Sequence, residues 1–114
     1  MTEYLAPIMR VADANAAVAW YEQLGFVKEW EHRFEAGLPL YVCIARGDLR
    51  MHLSEHTGDA RPGTLVYIYV EDIDAVAGAL GVTEFDDMPW GRDFEVVDPD
   101  GNRLRIGTAA VATG

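Results

Sequence analysis

Apolar and polar residues alternate along several short segments of this chain, a period typical of β-strands with one buried face. The clearest segment is LVYIYV at residues 65–70. Because neighbouring side chains of a strand point to opposite faces, every second residue from Val66 on is predicted to lie under a helix. Tyr67 and Tyr69 are predicted to line the other face. Further strands are expected at residues 7–11, 26–33, 38–46, 49–55 and 82–85.

A weak internal repeat relates the two halves of the chain. An offset of 59 residues aligns the triplet VAD, which ends at Asp13, with the triplet VED, which ends at Asp72. Each triplet follows a predicted strand and leads into a predicted helix. Asp13 and Asp72 are expected to cap these helices, because an aspartate side chain accepts hydrogen bonds from free backbone N–H groups. Gly25 and Gly81 are expected to end them.

Two tight turns predict antiparallel hairpins. The segment DPDGN at residues 98–102 has proline and glycine where a type I turn with a following glycine bulge requires them. This turn places Glu95 opposite Arg105. The second turn is Gly47-Asp48. The apolar pairs expected from the two turns are Phe94 with Ile106, Val96 with Leu104, Ile44 with Met51, and Val42 with Leu53.

The order of these elements predicts an α+β fold built from two βαβββ modules, one at about residues 1–57 and the other at about residues 62–110. The segment HTGDARPG at residues 56–63 is expected to be the loop that joins them. A length of 114 residues suits one compact domain and leaves no room for a second.

The acidic composition restricts the expected partners. A net charge of −10 disfavours nucleic acid, because binding phosphates requires clustered lysine and arginine. A cationic ligand is favoured instead. On charge alone, the simpler explanation is an acidic surface that only keeps the protein in solution.

The chain shows no signal-peptide pattern and no apolar segment near the length of about 20 residues that a membrane span needs. We therefore expect a cytoplasmic protein. Cys43 is the single cysteine, which excludes an intramolecular disulfide. Its apolar strand context predicts a small buried side chain and not a nucleophile.

The C-terminal hairpin and the segment PWGRDF at residues 89–94 resemble the glyoxalase/bleomycin resistance family of the vicinal oxygen chelate superfamily. The resemblance covers nearly the whole chain, and Trp90 matches the tryptophan of the PWGREF-type segment of bleomycin resistance proteins. It implies that two curled sheets form a cup that holds a ligand. It also implies a homodimer, because bleomycin resistance proteins complete each groove across two chains.

Metal-dependent members of this superfamily hold an ion with residues of the first, fourth, fifth and eighth strands. The matching positions here are Ala6, His52, Leu65 and Arg105. Only His52 has a side chain that coordinates metals, since a guanidinium has no lone pair to donate. Cations of this kind generally need several protein donors. The resemblance therefore implies that no metal and no other cofactor is bound.

Nine residues are predicted to bind the ligand, and none is predicted to be catalytic. They are Trp30, His32, Tyr41, His52, Tyr67, Tyr69, Trp90, Glu95 and Arg105. For several of these residues a structural role is the alternative to ligand binding. Tyr67 and Tyr69 suit a subunit interface or cross-strand packing, and His52 suits a structural hydrogen bond. Glu95 and Arg105 suit a structural ion pair. Weaker candidates for a cationic ligand, expected in an exposed loop, are Asp86, Asp87 and Asp93.

The leading hypothesis is a binding protein that sequesters bleomycin or another aromatic, cationic compound. The rival is an enzyme of the same superfamily, either a metal-dependent lyase or dioxygenase or a metal-free isomerase or hydrolase. A Glu or His side chain within metal-bonding distance of His52 would favour the metal-dependent enzyme. A third reading is an interaction module whose groove is filled by side chains.

Overall fold

The computed structural model describes residues 3–108, which form two four-stranded sheets and two short helices. The first half contains β1 (Ile8–Arg10), α1 (Ala14–Glu22), β2 (Val27–His32), β3 (Tyr41–Arg46) and β4 (Leu49–Ser54). The second half contains β5 (Leu65–Tyr69), α2 (Ile73–Leu80), β6 (Asp86–Met88), β7 (Gly91–Val97) and β8 (Arg103–Gly107). Neither helix has the length and hydrophobicity that crossing a lipid bilayer requires.

The two sheets have the same topology. Their strand orders are β1-β4-β3-β2 and β5-β8-β7-β6. In each sheet the first strand runs parallel to the fourth, and the remaining neighbours are antiparallel. Each half is therefore a βαβββ unit with a mixed sheet, and the predicted α+β fold is confirmed.

Both helices begin and end as the sequence predicts. The side chain of Asp13 accepts a hydrogen bond from the backbone nitrogen of Ala16 at 3.1 Å, and that of Asp72 accepts one from Ala75 at 3.0 Å. Gly81 ends α2 with a φ of 72°, a left-handed conformation that glycine adopts without a steric penalty.

The register of both hairpins is also confirmed. All four expected apolar pairs are cross-strand partners, and Glu95 lies opposite Arg105. One strand was misplaced: residues 82–85 are not a strand, and β6 follows them at Asp86–Met88. The apolar character of 82–85 has another cause, because Val82 and Phe85 pack against the core from the connection after α2.

The turn between β7 and β8 joins the two halves through buried polar groups. The hydroxyl of Tyr21 in α1 donates to Oδ2 of Asp98 at 2.8 Å. Nδ2 of Asn102 donates to the backbone oxygen of Arg10 at 3.0 Å, and Asp98 and Asn102 are 4% and 0% exposed. Because unpaired polar groups are costly to bury, this network fixes how the turn sits against the first half.

Candidate functional site

The face of the first sheet that is turned away from its helix carries an aromatic cluster. Trp30, Cys43 and His52 are cross-strand neighbours on β2, β3 and β4. The Tyr41 ring lies nearly parallel to that of Trp30, at an interplanar angle of 13° and a centroid distance of 6.0 Å. The His52 ring contacts both, at 5.3 Å from Trp30 and 5.2 Å from Tyr41. Cys43 is buried beneath them, as predicted.

A short hydrogen bond joins Tyr41 and His52 within this cluster. The hydroxyl of Tyr41 lies 2.6 Å from Nδ1 of His52. Burial lowers the pKa of His52 below its ordinary value, which keeps the imidazole neutral at pH 7. Burial also raises the pKa of Tyr41, so the phenol keeps its proton and can donate it to Nδ1. When the hydroxyl donates to Nδ1, the proton of the neutral imidazole resides on Nε2.

A first cavity of about 440 Å³ opens beside this cluster. Three of the nine predicted residues line it, and three further residues were missed. The lining residues are Trp30, His32, Phe34, Tyr41, His56 and Asp59. Asp59 is positioned by Ser54, whose hydroxyl donates to its Oδ2 at 2.6 Å. The sequence offered no signal for His56 and Asp59, because both belong to the loop between the halves.

The corresponding face of the second sheet carries charged residues. Tyr67, Arg105 and Glu95 are neighbours across β5, β8 and β7. The Glu95 carboxylate accepts hydrogen bonds from Arg103 at 3.0 Å and from Nε of Arg105 at 3.1 Å. The bonds from Arg103 and then Arg105 lower the pKa of Glu95, which makes it a poor proton acceptor. The predicted ion pair between Glu95 and Arg105 is present. Arg103 also forms a salt bridge with Glu95, which the sequence did not predict.

Tyr67 links this face to the PWGRDF segment. Its hydroxyl donates to Oδ2 of Asp93 at 2.8 Å and accepts a hydrogen bond from Nε1 of Trp90 at 3.1 Å. Burial is the main cause that raises the pKa of Tyr67. Asp93 was expected in an exposed loop, but it lies in β7 and is 3% exposed, because the chain turns back between Met88 and Gly91, which pair, and β7 already begins at Gly91.

A second cavity of about 390 Å³ lies against these residues. Its wall combines an apolar part with three carboxylates and one guanidinium. The lining residues are Asp86, Met88, Trp90, Asp93, Glu95 and Arg105. Asp86 was also expected in a loop, but it belongs to β6 and pairs with Asp93. This cavity can therefore offer negative charge beside an indole ring.

The two tyrosines of β5 line a third cavity, of about 410 Å³, between the halves of the chain. Their rings lie 4.7 Å apart and tilt by 34°. Residues of the N-terminal segment and of β4, including Leu5 and Met51, form the opposite wall. Eight of the nine predicted residues thus line three separate cavities of one chain, and His52 lines none of the three. Tyr67 connects the second and the third cavity through its hydrogen bonds to Asp93 and Trp90.

The superfamily's metal site does not fit these residues. Within residues 3–108 no three His, Cys, Asp or Glu side chains are placed to hold an ion together. His52 contacts Tyr41 and Trp30, and its neighbour on β1 is Ile8. Arg105 has Tyr67 as its neighbour on β5. These positions supply one imidazole and no carboxylate, which is too few donors for a transition metal.

Known structures share this fold over nearly the whole chain. A bleomycin resistance determinant encoded on the transposon Tn5 matches with a TM-score of 0.74 and 24% identity, over 96% of this chain and 100% of that chain. A bleomycin-binding protein from bleomycin-producing Streptomyces verticillus, complexed with copper(II)-bleomycin, matches with a TM-score of 0.67 and 29% identity, over 97% and 100%.

A third structure, a glyoxylase/bleomycin resistance protein/dioxygenase domain from Frankia sp. EAN1pec, matches with a TM-score of 0.77 and 19% identity, over 96% of this chain and 99% of that chain. No curated protein matches the chain in sequence. Residues 1–111 match the family model described as glyoxalase superfamily protein. The paired mixed sheets and this match over nearly the full length establish that the chain belongs to the glyoxalase superfamily.

Proposed function

We propose that this protein binds and sequesters a small aromatic, cationic compound of the bleomycin type in the cytoplasm, without a metal and without chemical conversion. The observation that carries the proposal is the composition of the two open sheet faces. One presents the aromatic cluster around Trp30 and Tyr41, and the other presents Trp90 beside three carboxylates.

The aromatic residues suit planar rings. Trp30 and Trp90 are 43% and 49% exposed, although tryptophan is usually well buried. A planar ligand group that stacks on an exposed indole gains about 1 kcal/mol beyond the burial of its surface. The exposed rings are therefore better explained by a ligand than by packing within the chain.

The charge of the protein suits a cation. The net charge of −10 attracts cations over a distance, and the second cavity concentrates three carboxylates against one guanidinium. The same charge disfavours nucleic acid. The structure from Streptomyces verticillus, a bleomycin-binding protein at 29% identity, supports a ligand of this class.

A homodimer would complete the groove. The first and second cavities have no lining residue in common, so the aromatic cluster and the three carboxylates do not meet in one cavity of a single chain. Two copies related by a two-fold axis would bring the aromatic face of one chain against the charged face of its partner, twice. Each of the two grooves would then stack a planar group and attract a charged one.

A metal-free isomerase or hydrolase is the second candidate function. The contact between Tyr41 and His52 favours it, because a phenol that is hydrogen-bonded to a neutral imidazole is an arrangement suited to proton transfer. A metal-dependent lyase or dioxygenase has less support, since the four superfamily positions supply a single donor.

Titration with metal-free bleomycin in the presence of a chelator tests the proposal. We expect quenching of tryptophan fluorescence and a binding heat in calorimetry, with the bleomycin recovered unchanged. Trp90→Ala should weaken binding about tenfold or more, since about 1.4 kcal/mol corresponds to one decade. Trp20→Phe is the control, because Trp20 packs on Tyr21 in α1 and lines neither the first nor the second cavity. Absence of binding at millimolar bleomycin would contradict the proposal.

A further inference from the structure

Asp93 is a buried carboxylate without a counter-charge. It is 3% exposed in β7, and the five salt bridges found in residues 3–108 all involve other carboxylates. Its side chain accepts one hydrogen bond there, from Tyr67 to Oδ2. An ionised carboxylate that is removed from water without a cation is unfavourable. The site therefore favours a positive group from outside the chain.

Asp93 lines the second cavity, and the other oxygen of its carboxylate, Oδ1, accepts no hydrogen bond from residues 3–108. A ligand in this cavity would therefore lie beside the Asp93 carboxylate.

The surroundings distinguish Asp93 from the other acids of the cavity. Glu95 is already neutralised by Arg103 and Arg105. Asp86 lies opposite Asp93 on β6 and adds a second negative charge without a cation of its own within the described residues. The Trp90 indole forms an adjacent wall. A carboxylate beside an aromatic ring suits a protonated amine, which can donate to the oxygen and contact the ring.

We infer that the second cavity is a binding site for a protonated primary or secondary amine, with Asp93 as its counter-charge and Trp90 as its aromatic wall. The inference rests on the proposed function, because it takes this cavity as the charged half of the ligand groove. It adds which chemical group of the ligand binds there and which side chain selects it.

Phenethylamine and 2-phenylethanol provide the test, since they have nearly the same shape and differ in charge. Each is titrated into the full-length protein while the indole N–H resonances of the three tryptophans are followed by NMR. We expect the amine to shift the Trp90 resonance and to bind at least tenfold more tightly than the alcohol. The Trp20 resonance serves as the internal reference, because Trp20 lies in α1 and lines neither the first nor the second cavity.

Two charge-matched variants localise the effect. Asp93→Asn keeps an oxygen that accepts the Tyr67 hydroxyl but removes the charge, and should weaken amine binding tenfold or more. Asp87→Asn removes the same charge one residue from Asp86, at a position that pairs with Arg92 and does not line the cavity. It should change the affinity less than twofold.

Equal affinities for amine and alcohol, or equal effects of Asp87→Asn and Asp93→Asn, would overturn the inference. If Asp93→Asn does not fold, the amine and alcohol titrations of the unaltered protein decide alone. Bleomycin binding without amine selectivity would overturn this inference and leave the proposed function standing. Amine selectivity at Trp90 without bleomycin binding would overturn only the proposed ligand class.

Discussion

The hydroxyl of Tyr67 lies 2.6 Å from the point that a Cβ atom at Gly107 would occupy. The two residues belong to neighbouring parallel strands, and the absence of a side chain on β8 lets the phenol cross the sheet to Asp93. Gly107 therefore determines where Tyr67 and, through it, Trp90 are held.

Gly107→Ala should displace the Tyr67 ring and break its hydrogen bond to Asp93. We expect a loss of about 1–2 kcal/mol in the free energy of unfolding, because a buried acceptor loses its donor. Urea denaturation measures this loss. Gly78→Ala is the control: no atom lies within 4 Å of the added methyl, and alanine in a helix should raise stability by about 0.5–1 kcal/mol. If Gly107→Ala leaves the free energy of unfolding unchanged, that result would contradict the role of this glycine.

The pKa of His52 should increase when its hydrogen-bond donor is removed. In the folded protein burial holds this pKa below its ordinary value of about 6.5, and a hydroxyl that donates to Nδ1 would also favour the neutral ring. Tyr41→Phe should therefore raise the pKa of His52, as followed by NMR titration of the imidazole. Tyr69→Phe, which removes a hydroxyl from the other sheet, should leave it unchanged.

The same residue makes stability depend on pH. Because the folded-state pKa of His52 is depressed, the unfolded chain binds the proton first as the pH falls. The contribution of His52 to stability is complete above the unfolded pKa of about 6.5 and decreases as the pH falls from there through the folded pKa. His52→Gln should flatten this part of a curve of unfolding free energy against pH. If the curve of His52→Gln matches that of the unaltered protein, the proposed effect of His52 on stability is wrong.

The contact between Tyr21 and Asp98 should contribute measurably to stability, because it lies in the buried network that joins the two halves. Tyr21→Phe should lower the free energy of unfolding by about 1–3 kcal/mol, since Asp98 loses a donor in a buried setting. Tyr4→Phe is the control at an exposed tyrosine, 55% accessible, and should change stability by less than about 0.5 kcal/mol. Equal losses in both variants would show that the network is not important.

Protein purified without chelator should carry no stoichiometric zinc, nickel, manganese or iron. The reason is that the superfamily positions Ala6, Leu65 and Arg105 cannot donate, which leaves His52 alone. Added metal should also leave the melting temperature unchanged, because only a ligand that binds the native state stabilises it. Elemental analysis that finds about one transition metal per chain would contradict the binding-protein proposal and favour the enzyme.

Sedimentation at micromolar concentration should find a dimer, because each chain offers separate aromatic and charged half-sites. Phe34 on the first half is 72% exposed and lies within 4.5 Å of His32 between ring centroids, which places apolar surface beside the groove. Phe34→Asp should weaken the dimer and bleomycin binding together if the groove spans two chains. A monomer that still binds bleomycin would show that one chain suffices.

The sequence by itself determined the local elements. Asp13 and Asp72 cap helices because their side chains need only backbone groups three residues away, and DPDGN fixes its hairpin because proline and glycine set the turn angles. Register then follows from the turn, so the pairing of Glu95 with Arg105 was predictable. The predicted strand at residues 82–85 was wrong, because Val82 and Phe85 pack against the core without pairing to another strand.

Only the tertiary structure decided which residues meet. The contacts of Tyr67 with Asp93 and of Tyr41 with His52 join residues of different strands, and their distances depend on sheet curvature and on a missing side chain at Gly107. The burial of Asp93 depends on a two-residue turn whose position the apolar pattern did not reveal. The charge state of a side chain depends on its burial and on partners that are distant in the chain. For that reason the sequence alone could name candidate residues of the site, but it could not show which of them share a cavity.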